Sequence, residues 1–202
     1  MKRVWMVGLA VAAAMEARAG SPKPQVDALA TVFTYDRVGV PEAVMGRAKR
    51  VAATALAAAG IEVRWLEGKH LGEPREVAAG EMRTVVFDGP APSTFRSQAI
   101  AVTNVGRGSD SDAHVFYSRV LTFEDSLYMP EFLGNVLAHE LTHALEGVAR
   151  HSSEGLMKAV WSVGDRAEMF RGPFPFVAED LDLPRAHFKN VMSPAPTLVT
   201  TW

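Results

Sequence analysis

The chain has 202 residues, of which 48% are hydrophobic, 22% charged and 8% aromatic. This balance is typical of a single globular domain, and it excludes a coiled coil, a collagen-like chain and an intrinsically disordered chain. The formal net charge of −2 at pH 7 predicts no general attraction to nucleic acid, and the absence of cysteine excludes disulfide frameworks, thiolate zinc sites and cysteine nucleophiles.

The first nineteen residues have the layout of a secretory signal peptide. Two basic residues at positions 2 and 3 precede an uncharged, mostly apolar run over 4–15, and residues 17–19 read Ala-Arg-Ala, as a signal peptidase requires. The apolar run is shorter than the roughly 20 residues that span a bilayer. We therefore expect residues 1–19 to be removed and residues 20–202 to form one domain outside the cytoplasm, secreted or periplasmic, without stable membrane insertion.

The mature chain begins with a predicted strand, helix and strand. Residues 30–35 are rich in β-branched and aromatic types, which predicts the first strand. Apolar residues at helical spacing predict a helix over 41–59, with a proline suited to its first turn and a glycine directly after it. Period-two alternation predicts a strand over 61–66, and two short β-branched runs, 84–87 and 99–103, predict further strands.

The second half of the chain contains the strongest helical pattern. A polar, glycine-rich stretch over 106–112 predicts a solvated loop, and residues 114–120 predict another strand. Residues 130–146 predict a long apolar helix that Gly147 ends, and a short helix near 177–187 is the last element indicated. This order predicts a small α+β domain in which helices pack on a mixed, twisted sheet, with the 130–146 helix in the centre.

The informative segment is His139-Glu140-Leu141-Thr142-His143, inside this helix. Residues four apart lie on one helical face, so both imidazoles can point at one ion, and zinc binds neutral imidazole nitrogen well. Glu140 lies about 100° round the helix from His139. From there a carboxylate can accept a proton from zinc-activated water without binding the metal.

A catalytic zinc usually has three protein ligands, so a third is needed. His151 lies eight residues beyond the second histidine, and Gly147 permits the positive φ with which the chain can turn back toward the metal. The rival ligand is a carboxylate on a later helix, with Glu168 the foremost candidate and Glu154 and Glu179 weaker ones. His151 is favoured because the glycine between the histidines then has a structural reason to be there.

The segment from His139 to His151, followed by Gly155-Leu156-Met157, resembles the metzincin group of zinc peptidases. Metzincins carry HExxHxxGxxH and then a methionine in a tight turn beneath the metal. Here the glycine and the third histidine fall one and two positions later, and the spacing HExxHxxxGxxxH followed by GLM is similar to a metzincin-like family of secreted bacterial proteins.

The resemblance implies a metzincin-like fold and assigns a role to each residue of the motif. It implies that His139, His143 and His151 bind Zn²⁺, that Glu140 is the general base and that Met157 is the turn methionine. It also implies that a peptide substrate pairs with an edge strand beside the cleft, here the strand over residues 114–120.

The chain departs from the family pattern after the turn methionine. Many metzincins have a tyrosine two residues later, where this chain has Ala159. Stabilisation of the transition state would then come from the zinc itself or from a tyrosine elsewhere, such as Tyr117 or Tyr128.

These observations predict a secreted zinc-dependent peptidase that acts on peptide or protein substrates through zinc-activated water, with Glu140 as general base. Two alternatives stay open. The first is a gluzincin-like zinc hydrolase in which Glu168 is the third ligand. The second is a non-catalytic, zinc-stabilised binding protein outside the cytoplasm.

Overall fold

The protein folds as one five-stranded sheet covered by helices. The computed structural model describes residues 28–69, 81–93, 99–105, 111–123 and 127–181. Within these ranges the elements are β1 (Ala28–Asp36), α1 (Glu42–Ala58), β2 (Ile61–Glu67), β3 (Glu81–Asp88), β4 (Ala101–Asn104), β5 (Asp112–Phe116), α2 (Tyr117–Phe123), α3 (Met129–Glu146) and α4 (Val163–Met169). The predicted signal peptide and most of the 106–112 loop lie outside the described residues.

The sheet is mixed, with the strand order β2-β1-β3-β5-β4. The first four strands in that order run parallel, and β4 pairs antiparallel with β5 at the edge. Parallel pairing requires a crossover between strands, and α1 provides it between β1 and β2. The α+β class with a mixed sheet is confirmed.

The core lies between one face of the sheet and helices α1 and α3. Alternate side chains of the strands point into it, including Val32 of β1, Phe87 of β3 and Val115 of β5. The two helices approach closely at Gly134, where an added Cβ would lie 2.5 Å from Cβ of Val51. This contact fixes the position of α3, which is buried along almost its whole length, as predicted for the central helix.

Two sequence-based assignments are corrected. The strand predicted over 114–120 ends at Phe116, and the chain continues as α2 because Val120 packs into the core from a helix in spite of its β-branched side chain. Helix α4 was not predicted, although Ser162 and Asp165 form a capping box at its start. Residues 178–181, which begin the helix expected near 177–187, are helical, and the rest of that range lies outside the described residues.

No helix in the described ranges is both long enough and apolar enough to cross a membrane.

Candidate metal centre

Three histidines come together where α3 ends. His139 and His143 lie one turn apart on α3, and Gly147 ends the helix in the left-handed conformation, with φ of 68°. Its N–H donates to the His143 carbonyl at 3.0 Å, and the chain then turns back to bring in His151. One nitrogen from each of the three rings lies within 4.8 Å of the other two, and the described ranges contain no other such group of three or more His, Asp or Glu residues.

Hydrogen bonds to the backbone fix the orientation of the two helical rings. Nδ1 of His139 donates to the Leu156 carbonyl at 2.9 Å, and Nδ1 of His143 donates to the Val148 carbonyl at 3.2 Å. A carbonyl oxygen only accepts, so Nδ1 carries the hydrogen of each neutral ring and Nε2 carries a lone pair. This is the outer contact that metal-binding histidines ordinarily make.

The two unprotonated nitrogens face each other. Nε2 of His139 and Nε2 of His143 are 3.0 Å apart, yet neither has a hydrogen to donate. Two ligands held about 2.0–2.1 Å from a tetrahedral zinc are separated by about 3.3 Å. The donor set therefore fits a zinc ion, which would satisfy both lone pairs.

Burial keeps the imidazoles neutral. Burial, together with the nearby charge of His143, lowers the pKa of His139 to about 3. Burial, together with the charge of His151, lowers the pKa of His143 to about 4. Partial desolvation of its ring, which lines the cleft, also lowers the pKa of the more exposed His151. The neutral form is the one that binds metal, so all three rings are in the ligand form at pH 7.

Glu140 lies beside the histidines and is held by the sheet. Its Oε2 accepts a hydrogen bond of 2.6 Å from Oγ1 of Thr103, on edge strand β4. Burial raises the pKa of Glu140 to about 7, and the bond from Thr103 limits that rise. A carboxyl group balanced between its two forms near neutral pH can both accept and return a proton. No sequence pattern indicated Thr103, which lies 37 residues from its partner.

A cleft of about 690 Å³ opens over these groups. His139, Glu140 and His151 line it, one wall is the chain leading into β4, and the other is the segment after Met157. The expectation that residues 114–120 form the edge strand is therefore wrong, since β5 is paired on both sides by β3 and β4. The strand at the edge, beside the cleft, is β4.

The fold has a counterpart among solved structures. It is similar to the crystal structure of archaemetzincin from Methanopyrus kandleri, with a TM-score of 0.53, 15% identity and coverage of 80% of this chain and 96% of that chain. The fold is archaemetzincin-like. No protein-family model and no curated protein matches the sequence. The metzincin-like fold expected from the histidine motif is thus confirmed, while the identity is too low to carry more than the fold.

The turn after the third histidine is joined to the His139 ring by a hydrogen bond. In this archaemetzincin-like fold Met157 is fully buried, and its carbonyl accepts the Ser152 N–H at 2.9 Å, which closes the turn. The Leu156 carbonyl, which holds the His139 ring, also accepts the indole N–H of Trp161 at 3.2 Å. Trp161 lines the cleft and stands edge-on to His139, a role that the sequence did not indicate.

Several other candidate residues lie elsewhere. Glu168 is on α4 with its side chain 56% exposed, and it pairs with Arg171 rather than with the histidines. Glu154 and Glu179 are exposed. Tyr128 stacks on Phe170, Tyr117 begins α2, and the described residues that line the cleft include no tyrosine.

Proposed function

We propose that this chain is a zinc-dependent peptidase with His139, His143 and His151 as ligands and Glu140 as general base. The observation that carries the proposal is the pair of unprotonated Nε2 atoms 3.0 Å apart, with a third imidazole beside them. Facing lone pairs repel each other, so this arrangement is favourable when a cation lies between them. The archaemetzincin-like fold supports the same interpretation.

When bound, zinc would supply Lewis acidity, which polarises a carbonyl group and lowers the pKa of water toward 7. The chain supplies the proton transfers. Glu140 lines the cleft, where its carboxylate accepts a proton from the attacking water and passes it to the nitrogen of the leaving amine. Thr103 holds Oε2 of this carboxylate, which leaves Oε1 to exchange the proton.

The cleft suits an extended peptide as substrate. Among the described strands, β4 pairs with β5 alone, and residues 99–101 at its start line the cleft. An extended chain can add to such an edge through backbone hydrogen bonds, largely independently of its sequence. Phe132, Val136 and Trp161 add apolar lining for a substrate side chain.

The test pairs cleavage with metal analysis. Glu140→Gln should abolish cleavage of a peptide library while one equivalent of zinc stays bound, because the carboxylate is not a ligand. Glu131→Gln, on the same helix but ion-paired with Arg47 away from the cleft, is the matched control and should retain cleavage. Cleavage retained by Glu140→Gln would remove the proposed base.

Replacement of the third ligand separates the alternatives. His151→Ala should lose most of its zinc on dialysis, whereas Glu168→Gln should keep it; the opposite result would favour the gluzincin-like site. A wild-type protein that binds one zinc but cleaves no member of a sensitive library would instead be a zinc-stabilised binding protein.

We further propose that the protein acts outside the cytoplasm, secreted or periplasmic, after removal of residues 1–19. The charged, apolar and small-residue regions at the N-terminus support this. N-terminal sequencing of the protein recovered from a secreting host should find residue 20 first, and an intact Met1 would contradict the proposal.

A further inference from the structure

The third histidine is held differently from the other two. The rings of His139 and His143 are each fixed through Nδ1 by a backbone carbonyl. His151 is exposed, and the structure gives its ring no hydrogen bond to any residue in the described part of the chain. It also follows the end of α3, so the helix does not set its position. Apart from ring contacts with His139 and His143, its placement depends on the residues on either side of it.

Both neighbours of His151 are bound by one buried carboxylate, that of Asp180. Oδ1 of Asp180 lies 2.9 Å from Nη2 of Arg150 and accepts a hydrogen bond of 2.5 Å from Oγ of Ser152. Nη1 of Arg150 also donates to Oγ of Ser152, at 3.2 Å. These three contacts form a closed triangle, and the His151 backbone lies between two of its corners.

The triangle is connected to the helix that carries the other ligands. Nη2 of Arg150 lies 3.1 Å from Oε1 of Glu146, the last residue of α3, whose side chain is 1% exposed. Arg150 thus connects three segments: the end of α3, the bend over residues 147–152 that carries His151, and the helical turn over 178–181. Asp180 is therefore linked, through Arg150, to the helix that carries His139 and His143.

Stability alone does not explain this charged cluster of Glu146, Arg150 and Asp180. It places two carboxylates against one guanidinium, and Oε2 of Glu146, Oδ2 of Asp180 and Nε of Arg150 are buried without a hydrogen-bond partner in the described ranges. Buried ion pairs cost desolvation free energy, and apolar replacements are often as stable. Unlike apolar packing, these directional polar contacts define the direction in which the chain leaves α3.

We propose that Asp180 is a positioning residue for the third metal ligand, acting on His151 through Arg150 and Ser152. The inference rests on the proposed zinc site but not on peptidase activity. Its readout is the affinity for zinc alone, measured by competition with a chromogenic chelator. Residues that orient metal ligands from outside typically change affinity by about 10- to 100-fold when replaced.

The deciding experiment is a double-mutant cycle between Asp180→Asn and His151→Ala. Asp180→Asn should lower zinc affinity by about 10- to 100-fold in the wild-type background, yet by less than about threefold in the His151→Ala background. A residue with a merely structural role would weaken binding equally in both. Equal losses, or an unchanged affinity in folded Asp180→Asn, would overturn the proposal.

Two further variants keep the test decisive. Ser152→Ala removes one corner of the triangle without unpairing a charge, so it should weaken zinc binding by the same route if Asp180→Asn does not fold; unchanged affinity would again refute the proposal. Asp88→Asn is the matched control. Asp88 also binds an arginine, Arg37, and a second side chain, but it does not line the zinc cleft. It should leave zinc affinity unchanged. A wild-type protein that binds zinc but cleaves nothing would refute the peptidase and leave this result standing.

Discussion

Replacement of Thr103 by valine tests how edge strand β4 controls the base. Valine keeps the β-branched shape but removes the hydroxyl that donates to Oε2 of Glu140 at 2.6 Å. A hydrogen bond to a charged group contributes about 1.5–3 kcal/mol, and one pKa unit corresponds to about 1.4 kcal/mol. Since the bond favours the ionised carboxylate, its loss should raise the pKa of Glu140 by about one to two units.

The sign of the effect on activity follows from the role of the base, which must be ionised to accept a proton. Without metal the pKa of about 7 leaves half of the Glu140 carboxyl groups ionised at pH 7, and a bound zinc ion would lower this pKa in the wild type and the variant alike. The effect of the variant is therefore the displacement of one to two units, so on the acidic side of the profile, below both pKa values, kcat/KM of Thr103→Val should be about 10- to 100-fold lower than that of the wild type. Activity should return as the pH rises, because the acidic limb of the profile is displaced upward by the same one to two units.

The assay is the pH dependence of kcat/KM on one cleavable peptide, with zinc content measured in each sample. Thr103→Ser retains the hydroxyl and is the matched control, so its profile should follow that of the wild type. A loss of activity equal at every pH would mean that Thr103 acts on packing instead of on Glu140. An unshifted acidic limb in a folded, zinc-loaded Thr103→Val protein would refute the proposed stabilisation of the ionised Glu140 by Thr103.

Two other predictions concern stability. Removal of zinc should lower Tm by about 8–16 °C relative to protein in zinc at a thousand times Kd. At that concentration binding contributes about 4 kcal/mol to stability, and the Tm of a chain of this size shifts by about 2–4 °C per kcal/mol. Calorimetry with and without chelator measures this shift, and an unchanged Tm would contradict a zinc site confined to the folded state. Gly134→Ala should destabilise the protein by about 1–3 kcal/mol in urea, because the new Cβ would overlap Val51 of α1, and an unchanged midpoint would show that the two helices separate freely.

The sequence was sufficient for those parts of the site that a single helix determines. The spacing of His139 and His143 places both rings on one face, and Glu140 follows from the same geometry. Gly147 was correctly expected to end α3, because few other residues adopt the left-handed conformation there. The fold class followed from the order of periodic segments, since strand, helix and strand in succession favour parallel pairing.

Contacts between distant segments could not be predicted from the sequence. Thr103 meets Glu140 across 37 residues, and Asp180 meets Ser152 across 28. No local periodicity records such pairs, because they depend on how the sheet and the helices pack. The same reason explains the error over residues 114–120, since alternation identifies a strand but does not say whether it lies inside the sheet or at its edge.

The segment between His143 and His151 is two residues longer than in the metzincin pattern. Contacts made by this segment itself accommodate the extra length. The Val148 carbonyl accepts the Nδ1 hydrogen of His143, and Arg150 pairs with both Glu146 and Asp180. A free insertion would enlarge the range of positions open to His151 and raise the entropic cost of bringing it to a metal. Here the added residues are anchored on both sides of the bend, so the third imidazole is held about 5 Å from the other two rings in spite of the altered pattern.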